Sequence, residues 1–174
     1  MDTVLDMIVS FAVTGETSGL WPGMASGEAD RLLGSETGLV SRGGQPAEGS
    51  TGFKDGSLEV WASPEGLVEL IGFDADTDRR FCAPAFGRAV TGQPSGPFPW
   101  EMVTARLEAC GCTWTPDSTL TFDGQRSIRT KAGVALGFHA LESSPDAPVQ
   151  TWLLASAYRS FPEPLTWAVS EDAS

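Results

Sequence analysis

Residues 19–34 read GLWPGMASGEADRLLG and residues 58–73 read LEVWASPEGLVELIGF, and these two segments decide the fold of the first half of the chain. The first predicts a short helix that Ser26 caps and Gly34 ends. Its apolar stripe consists of Ala29, Leu32 and Leu33. The second alternates apolar and polar residues on both sides of SPEG, a turn signal, and predicts two antiparallel strands. The helix and the strand pair would bury each other's apolar faces.

The alternation in the first of these strands also predicts which side chains reach solvent. Leu58 and Val60 alternate with Glu59 and Trp61. We expect Glu59 and Trp61 together on the solvent side, unless the register is reversed and Trp61 packs on the helix. The Gly/Ser-rich segment between residues 35 and 56 predicts a long loop that holds at most one weak strand.

Two further helices are indicated, one at the N-terminus and one in the second half. At the N-terminus, Asp2 or Thr3 can cap a helix that Gly15 ends, although a strand is the alternative. Its apolar face would hold Val4, Ile8 and Phe11. In the second half, Pro99 fits the first helical position and Gly111 the stop. That helix carries an apolar stripe of Trp100, Val103, Leu107 and Cys110.

Four strands are predicted after this helix. Leu120 and Phe122 alternate with threonines, and Asp123-Gly124 signals a hairpin before residues 127–131, where Ile128 points inward. Residues 134–140 and 149–158 supply the other two strands. In the last one, strict alternation places Trp152, Leu154 and Tyr158 on the same face.

The two halves follow a similar plan, because each reads helix, connection, strand, turn and long strand. Gly34 precedes Gly56 by the same number of residues as Gly111 precedes Gly133. We therefore expect an α+β fold of two tandem helix-on-antiparallel-sheet units in a two-layer sandwich. The predicted divisions are a first unit at 1–80, a Pro/Gly-rich connector at 81–98, and a second unit at 99–174 that ends in a tail packed through Leu165 and Trp167.

Composition narrows the class of partner. The chain has 174 residues, 41% of them hydrophobic, and a formal net charge of −12. This charge would repel nucleic acid and anionic membranes and would attract a basic protein. Asp2 and Asp6 flank the N-terminal apolar run without a preceding basic residue, so we expect a cytoplasmic protein rather than a secreted one. The Ala, Gly and Arg usage resembles that of GC-rich bacteria such as actinobacteria.

Candidate chemistry is weak at every position that we considered. DADTD at 74–78 begins as a calcium loop does, but Arg79 stands where such a loop needs glycine and Ala85 where it needs a carboxylate. The possible zinc or Cys–His set, Cys82, Cys110, Cys112 and His139, matches no standard spacing. No phosphate-binding loop, dinucleotide fingerprint or nucleophile elbow occurs. We therefore predict no metal, no cofactor and no catalytic residue, while a weak-signature enzyme stays possible.

The segments GLWPGMASGEADRLLG and GSLEVWASPEGLVELIGF together resemble the helix-and-sheet unit of the β-lactamase inhibitor protein and of the small lipoproteins of outer-membrane β-barrel assembly. Gly23-Met24 and Leu32-Leu33-Gly34 match the pattern of these families, and Ala29 stands at the usual aliphatic position. The unit is also similar to actinobacterial proteins of the immunity type from polymorphic toxin systems. The resemblance implies a protein-binding module and transfers no catalytic residue.

We therefore expect a cytoplasmic, acidic protein-binding module, an immunity protein that inhibits a basic toxin such as a nuclease. Two alternatives stay open: a small enzyme or ligand-binding protein with a pocket between the two units, and a structural subunit that self-associates through a sheet edge. In the first case, acids would steer the partner and tryptophans would anchor it. The predicted partner-binding residues are Asp55, Glu59, Trp61, Glu65, Glu69, Asp74, Asp76, Asp78 and Trp152.

Overall fold

The N-terminal helix begins and ends where the sequence predicts. A computed structural model describes residues 3–34, 37–40, 49–86, 93–141 and 151–161. Helix α1 spans Val4–Thr14. The side chain of Thr3 accepts a hydrogen bond from the backbone amide of Asp6, and the carboxylate of Asp6 accepts one from the backbone amide of Thr3. This capping box satisfies two amide groups that a helix start leaves free. Gly15 ends the helix at a φ of 76°, a left-handed conformation that favours glycine.

Helices α2 (Ser26–Leu33) and α3 (Trp100–Ala109) are confirmed, with corrections at their ends. The N-cap of α2 is Ala25, because Ser26 is buried and its amide donates to the carbonyl of Gly66. Pro99 is likewise the N-cap of α3 rather than its first residue. Two residues that we expected on apolar stripes are exposed instead, Leu32 with 42% of its surface and Cys110. Leu32 lies beside the face that α2 buries through Ala29 and Leu33, and Cys110 is the C-cap of α3, past its last helical residue.

Within the described residues, seven strands form one antiparallel sheet. They are β1 (Thr51–Asp55), β2 (Leu58–Ala62), β3 (Val68–Asp74), β4 (Trp114–Pro116), β5 (Gln125–Thr130), β6 (Ala135–Ala140) and β7 (Trp152–Ser160). Their order in the sheet is β1-β2-β3-β7-β6-β5-β4. The last strand of each half of the chain therefore pairs with the last strand of the other half. This confirms the α+β class and the predicted β2–β3 hairpin, and β1 is the weak strand expected in the long loop.

The three helices found in the described part of the chain cover one face of this sheet. One connected core joins Ile8 and Phe11 of α1, Leu107 of α3, and the inward residues Phe73 of β3 and Leu136 of β6. Arg106 on α3 forms an ion pair of 3.2 Å with Asp6 on α1, which fastens the two helices together. The sheet and the core run through both halves of the chain. The division into two tandem units, with a connector at 81–98, stays a prediction.

The prediction for Leu120 and Phe122 is wrong. Residues Ser118–Leu120 form a 3-10 turn, and both apolar side chains are exposed, Phe122 with 62% of its surface. Asp117 caps this turn with its carboxylate, which accepts from the amide of Thr119 at 3.1 Å. The fourth strand of this half is β4 instead, whose Trp114 packs edge-on to Trp100. Leu165, Trp167 and the start predicted for β7 at Val149 lie outside the described residues.

The pairing of β3 with β7 depends on a glycine. Gly72 lies opposite Tyr158, and a Cβ atom at Gly72 would collide with the tyrosine ring and lie 2.5 Å from the carbonyl oxygen of Ala157. We expect Gly72→Ala to lower the free energy of unfolding by about 1–3 kcal/mol, as overpacked sites do. Urea denaturation followed by circular dichroism measures the change.

Gly27 provides the matched control for this substitution. It lies in α2, where the nearest atom to a new Cβ would be 4.0 Å away on Val40. Gly27→Ala should raise the free energy of unfolding by about 0.5–1 kcal/mol, because alanine is the better helix former. Equal effects of the two substitutions would contradict the close packing of Tyr158 on Gly72.

Candidate functional site

The sheet face opposite the helices carries the polar and aromatic residues that could serve a function. In the register of the sheet, Glu59 lies opposite Gly72 and Gly72 opposite Tyr158. In the neighbouring row, Trp61 lies opposite Leu70 and Leu70 opposite Ser160. The side chains of both rows are half-buried or exposed, and none of the three described helices packs on them. We call this surface the open face.

Two aromatic rings on the open face each lie across a glycine of the adjacent strand. The ring of Trp61 covers Gly52, where a Cβ atom would lie 2.9 Å from three ring carbons. Tyr158 covers Gly72 in the same way. A ring that rests on bare backbone loses little freedom when it contacts a partner. Trp61 nevertheless keeps 43% of its surface exposed.

A carboxylate pair surrounds the hydroxyl group of Tyr158. The hydroxyl donates to Oε2 of Glu59 at 2.9 Å, and Lys54 donates to Oε1 of the same carboxylate at 2.7 Å. Partial burial opposes the ionisation of Glu59, but these two hydrogen bonds, the positive charge of Lys54 and a hydrogen bond from Trp61 together lower the pKa of Glu59. Burial raises the pKa of Tyr158, as do the neighbouring carboxylates, so its hydroxyl stays protonated and acts as a donor.

Asp74 is the second carboxylate of this cluster and behaves in the opposite way. It lies at the end of β3, half-buried, and burial followed by the negative charge of Glu59 raises the pKa of Asp74. The single proton of the Tyr158 hydroxyl is directed to Glu59, which leaves Asp74 with weaker support. The ionised form of Asp74 is therefore disfavoured on the open face, although Lys54, Tyr158 and Arg79 offset part of this effect. A positive charge from a partner beside Asp74 would favour the ionised form.

A hollow of about 420 Å³ lies beside Trp61. It is lined by Trp61, Glu69, Leu70, Ser160 and Phe161. Glu69 is an extra residue in β3, because Trp61 pairs with Leu70 whereas the next residue, Ala62, pairs with Val68. This β-bulge turns the Glu69 side chain to the rim, where it accepts a hydrogen bond from Ser50 at 3.4 Å. The hollow thus combines two exposed aromatic rings with one carboxylate.

Three of the seven predicted partner-binding acids lie on the open face. Glu59, Glu69 and Asp74 belong to it, together with Trp61. Glu65 lies beyond it, exposed at the tip of the β2–β3 hairpin, where a hydrogen bond from Ser63 lowers the pKa of the carboxyl group. Asp76 and Asp78 are exposed in the loop that follows β3.

Two of the predicted residues lie elsewhere. The carboxylate of Asp55 points to the helix side of the sheet and accepts the amide of Phe86 at 2.7 Å, so it fastens a loop. Trp152 packs against the core on the helix side. The guanidinium group of Arg126 lies 4.6 Å from its ring centroid, a cation–π contact. Neither side chain shares a surface with Trp61.

A second β-bulge explains why Trp152 and Tyr158 were predicted on one face. Gly137 pairs with Ser156 but Phe138 pairs with Leu154, so Ala155 is an extra residue in β7. The extra residue reverses the alternation along the strand. Tyr158 therefore lies on the open face, whereas Trp152 and Leu154 lie on the helix side. Tyr158 and Phe161 were not among the predicted site residues; Phe161 follows the last strand and lines the hollow beside Trp61.

The candidate metal ligands are dispersed. Asp76 accepts hydrogen bonds from the amides of Asp78 and Arg80, so its carboxylate closes a turn. The thiol of Cys112 lies 3.9 Å from the carbonyl oxygen of Ala12, under α1, and burial raises its pKa. His139 contacts Arg79 instead of a cysteine. Within the described ranges, no three His, Cys, Asp or Glu side chains are grouped as a metal ion would require.

Comparison with known proteins assigns this chain to no family. No family model, no curated protein and no solved structure matches this chain. In the part of the chain that the structure describes, none of the helices has the length and apolar character needed to cross a bilayer.

Asp74 on the open face should destabilise the folded protein in a pH-dependent way. Because the pKa of Asp74 is raised in the folded state, its ionised form destabilises the protein at neutral pH. We expect Asp74→Asn to raise the free energy of unfolding by about 0.2–1 kcal/mol at pH 7, the range of a like-charge pair across strands. The gain should shrink as pH falls through the raised pKa of Asp74, since both proteins are then neutral at this position.

Asp117→Asn is the control with the opposite sign. Burial opposes the ionisation of Asp117, but hydrogen bonds from Thr119 and the 2.6 Å ion pair with Arg129 lower its pKa. The stability from Asp117 is present above the pKa of the unfolded state and is lost as pH falls through the folded pKa. The variant should therefore be less stable at pH 7, by about 1–3 kcal/mol. Urea denaturation of both variants from pH 3 to pH 7 measures the free energy of unfolding. A decrease for Asp74→Asn at pH 7 would contradict this assignment.

Proposed function

We propose that this chain is a non-enzymatic protein-binding module that binds a basic protein on its open face. The proposal rests on the position of Trp61. Its ring lies over Gly52, and the residue keeps 43% of its surface exposed and borders a hollow that contains the carboxylate of Glu69. Exposed tryptophans that are rigidly supported are the residues from which binding hot spots are made. The net charge of −12 supports a cationic partner.

The hollow beside Trp61 suits one long basic side chain of that partner. Trp61 and Phe161 offer ring faces, and Glu69 offers a carboxylate at the rim. An arginine or lysine between the rings would gain a cation–π contact and an ion pair at once. Glu59 and Asp74, further along the open face, would attract neighbouring basic residues of the same partner.

A narrower form of this proposal is that the module is a cytoplasmic immunity protein that inhibits a basic toxin such as a nuclease. The acidic open face supports it, because a nuclease carries a basic surface for its nucleic acid and such a surface complements this face. A small-ligand-binding role is the second candidate. It is favoured by a separate cleft beside Arg79, whose lining shares no residue with the hollow beside Trp61.

A capture experiment tests the proposal. Immobilised wild-type protein should retain a basic protein from a lysate of the source organism, and Trp61→Ala should retain at least tenfold less of it, as expected when a hot-spot side chain is truncated. Phe122→Ala is the control, because Phe122 is also an exposed aromatic residue but lies at the β4–β5 end, away from the open face. Loss of the captured protein from both variants, or from neither, would contradict the role of Trp61.

The purified pair then tests the electrostatic part. We expect the association rate to fall about tenfold or more between low and physiological salt, because acidic residues steer a basic partner over long distances. Glu69→Gln should weaken this dependence and raise the dissociation rate, whereas Glu16→Gln, an exposed acid after α1, should change neither. Stopped-flow measurement of tryptophan fluorescence gives both rates. A rate that is independent of salt would exclude steering.

A further inference from the structure

A second depression lies where the loop after β3 meets the ends of β6 and β7. It has a volume of about 580 Å³, within the range of small-molecule sites. Its apolar side is formed by Pro97, Leu141 and Leu153, and its polar side by Asp78 and Arg79. None of these residues takes part in the hollow beside Trp61. We call this depression the Arg79 cleft.

The backbone of Arg79 adopts a left-handed conformation, which is uncommon for residues other than glycine. Its φ of 60° lies in the left-handed region, which residues other than glycine adopt at some cost. The turn is fixed by Asp76, whose carboxylate accepts from the amides of Asp78 at 2.9 Å and Arg80 at 2.8 Å. The amide of Arg79 also donates to the carbonyl of Asp76. The guanidinium group is therefore presented by a rigid loop.

Arg79 has a neutral partner where a carboxylate would be usual. Among the described residues, the ion pairs join Lys54 to Glu59, Arg106 to Asp6 and Arg129 to Asp117, and none includes Arg79. Its Nη2 lies 3.2 Å from Nδ1 of His139. Arginine only donates, so Nδ1 accepts and the imidazole carries its proton on Nε2.

The surroundings of His139 keep it uncharged. Burial, and then the positive charge of Arg79, lower the pKa of His139, while the negative charge of Asp74 opposes this shift. Asp78 is the other charged group at the cleft. Arg79 is thus a half-buried cation that forms no ion pair within the described residues. Asp74 and Asp78 offset part of its charge from a distance, and its guanidinium group stays available beside the apolar side of the cleft.

We propose that the Arg79 cleft binds a small monocarboxylate with an apolar body. The guanidinium group would hold the carboxylate through two parallel hydrogen bonds, and Leu141, Leu153 and Pro97 would cover the apolar part. A single negative charge fits best, because Asp78 and Asp74 disfavour a dianion such as phosphate. This site is independent of the proposed protein-binding function.

His139 is the only histidine of the chain and therefore a direct reporter of the cleft. Its imidazole signals can be followed by NMR while hexanoate is added, with N-acetyl-leucine as a second probe that presents its carboxylate as a chain terminus does. We expect saturable shifts and a rise in the pKa of His139, since a bound carboxylate offsets the charge of Arg79. The tighter of the two probes identifies a free acid or a chain terminus as the source.

One neutral probe and one doubly charged probe test the specificity of the Arg79 cleft. Hexanamide has the same apolar body without the charge, and inorganic phosphate at pH 7.5 has charge without the body. Both should bind at least tenfold more weakly than hexanoate. Equal shifts with phosphate would overturn the monocarboxylate assignment, and the absence of saturable shifts with both carboxylates would overturn the site.

Variants separate the cleft from the surrounding surface. Arg79→Gln should lose at least tenfold in hexanoate affinity, whereas Arg80→Gln, an exposed neighbour in the same turn, should bind as the wild type does. Leu141→Glu changes the apolar side at an exposed position and should also lose binding. Near-ultraviolet circular dichroism verifies that each variant is folded. Unchanged affinity in a folded Arg79→Gln protein would overturn the proposal.

Discussion

The ladder between β3 and β7 is the interaction on which the rest of the structure depends. It pairs the last strand of one half of the chain with the last strand of the other, from Leu70 opposite Ser160 to Asp74 opposite Ser156. On the helix side, it brings Phe73 next to Ala157 in the core. Without this ladder, the sheet would separate into β1-β2-β3 and β7-β6-β5-β4. Neither part alone would have the continuous surface that the helices cover.

Both candidate sites lie at the ends of this ladder. The hollow beside Trp61 begins at the Leu70–Ser160 end, where the bulge at Glu69 turns a carboxylate to the rim. The Arg79 cleft begins beyond the Asp74 end, where the amide of Ala75 still donates to the carbonyl of Ala155. The open face between them is closely packed, because Tyr158 fills the space over Gly72.

Local signals in the sequence predicted the elements, and non-local contacts decided the faces. The Thr3 cap and the Gly15 stop predicted α1, and alternation around SPEG predicted β2, β3 and the exposure of Trp61. The extra residue Ala155 could not be foreseen, because a β-bulge is set by pairing with β6. The Arg79 cleft could not be foreseen either, because it joins segments that are distant along the chain.

Native-state hydrogen exchange in increasing, sub-denaturing urea tests most directly whether the β3–β7 ladder unites the chain. If it does, the protected amides of β2 and β3 and those of β5 and β6 should converge on one free energy of opening, because neither half retains its structure alone. If the amides of β5 and β6 kept a higher free energy of opening after those of β2 and β3 had lost protection, the halves would unfold separately. That result would contradict the account.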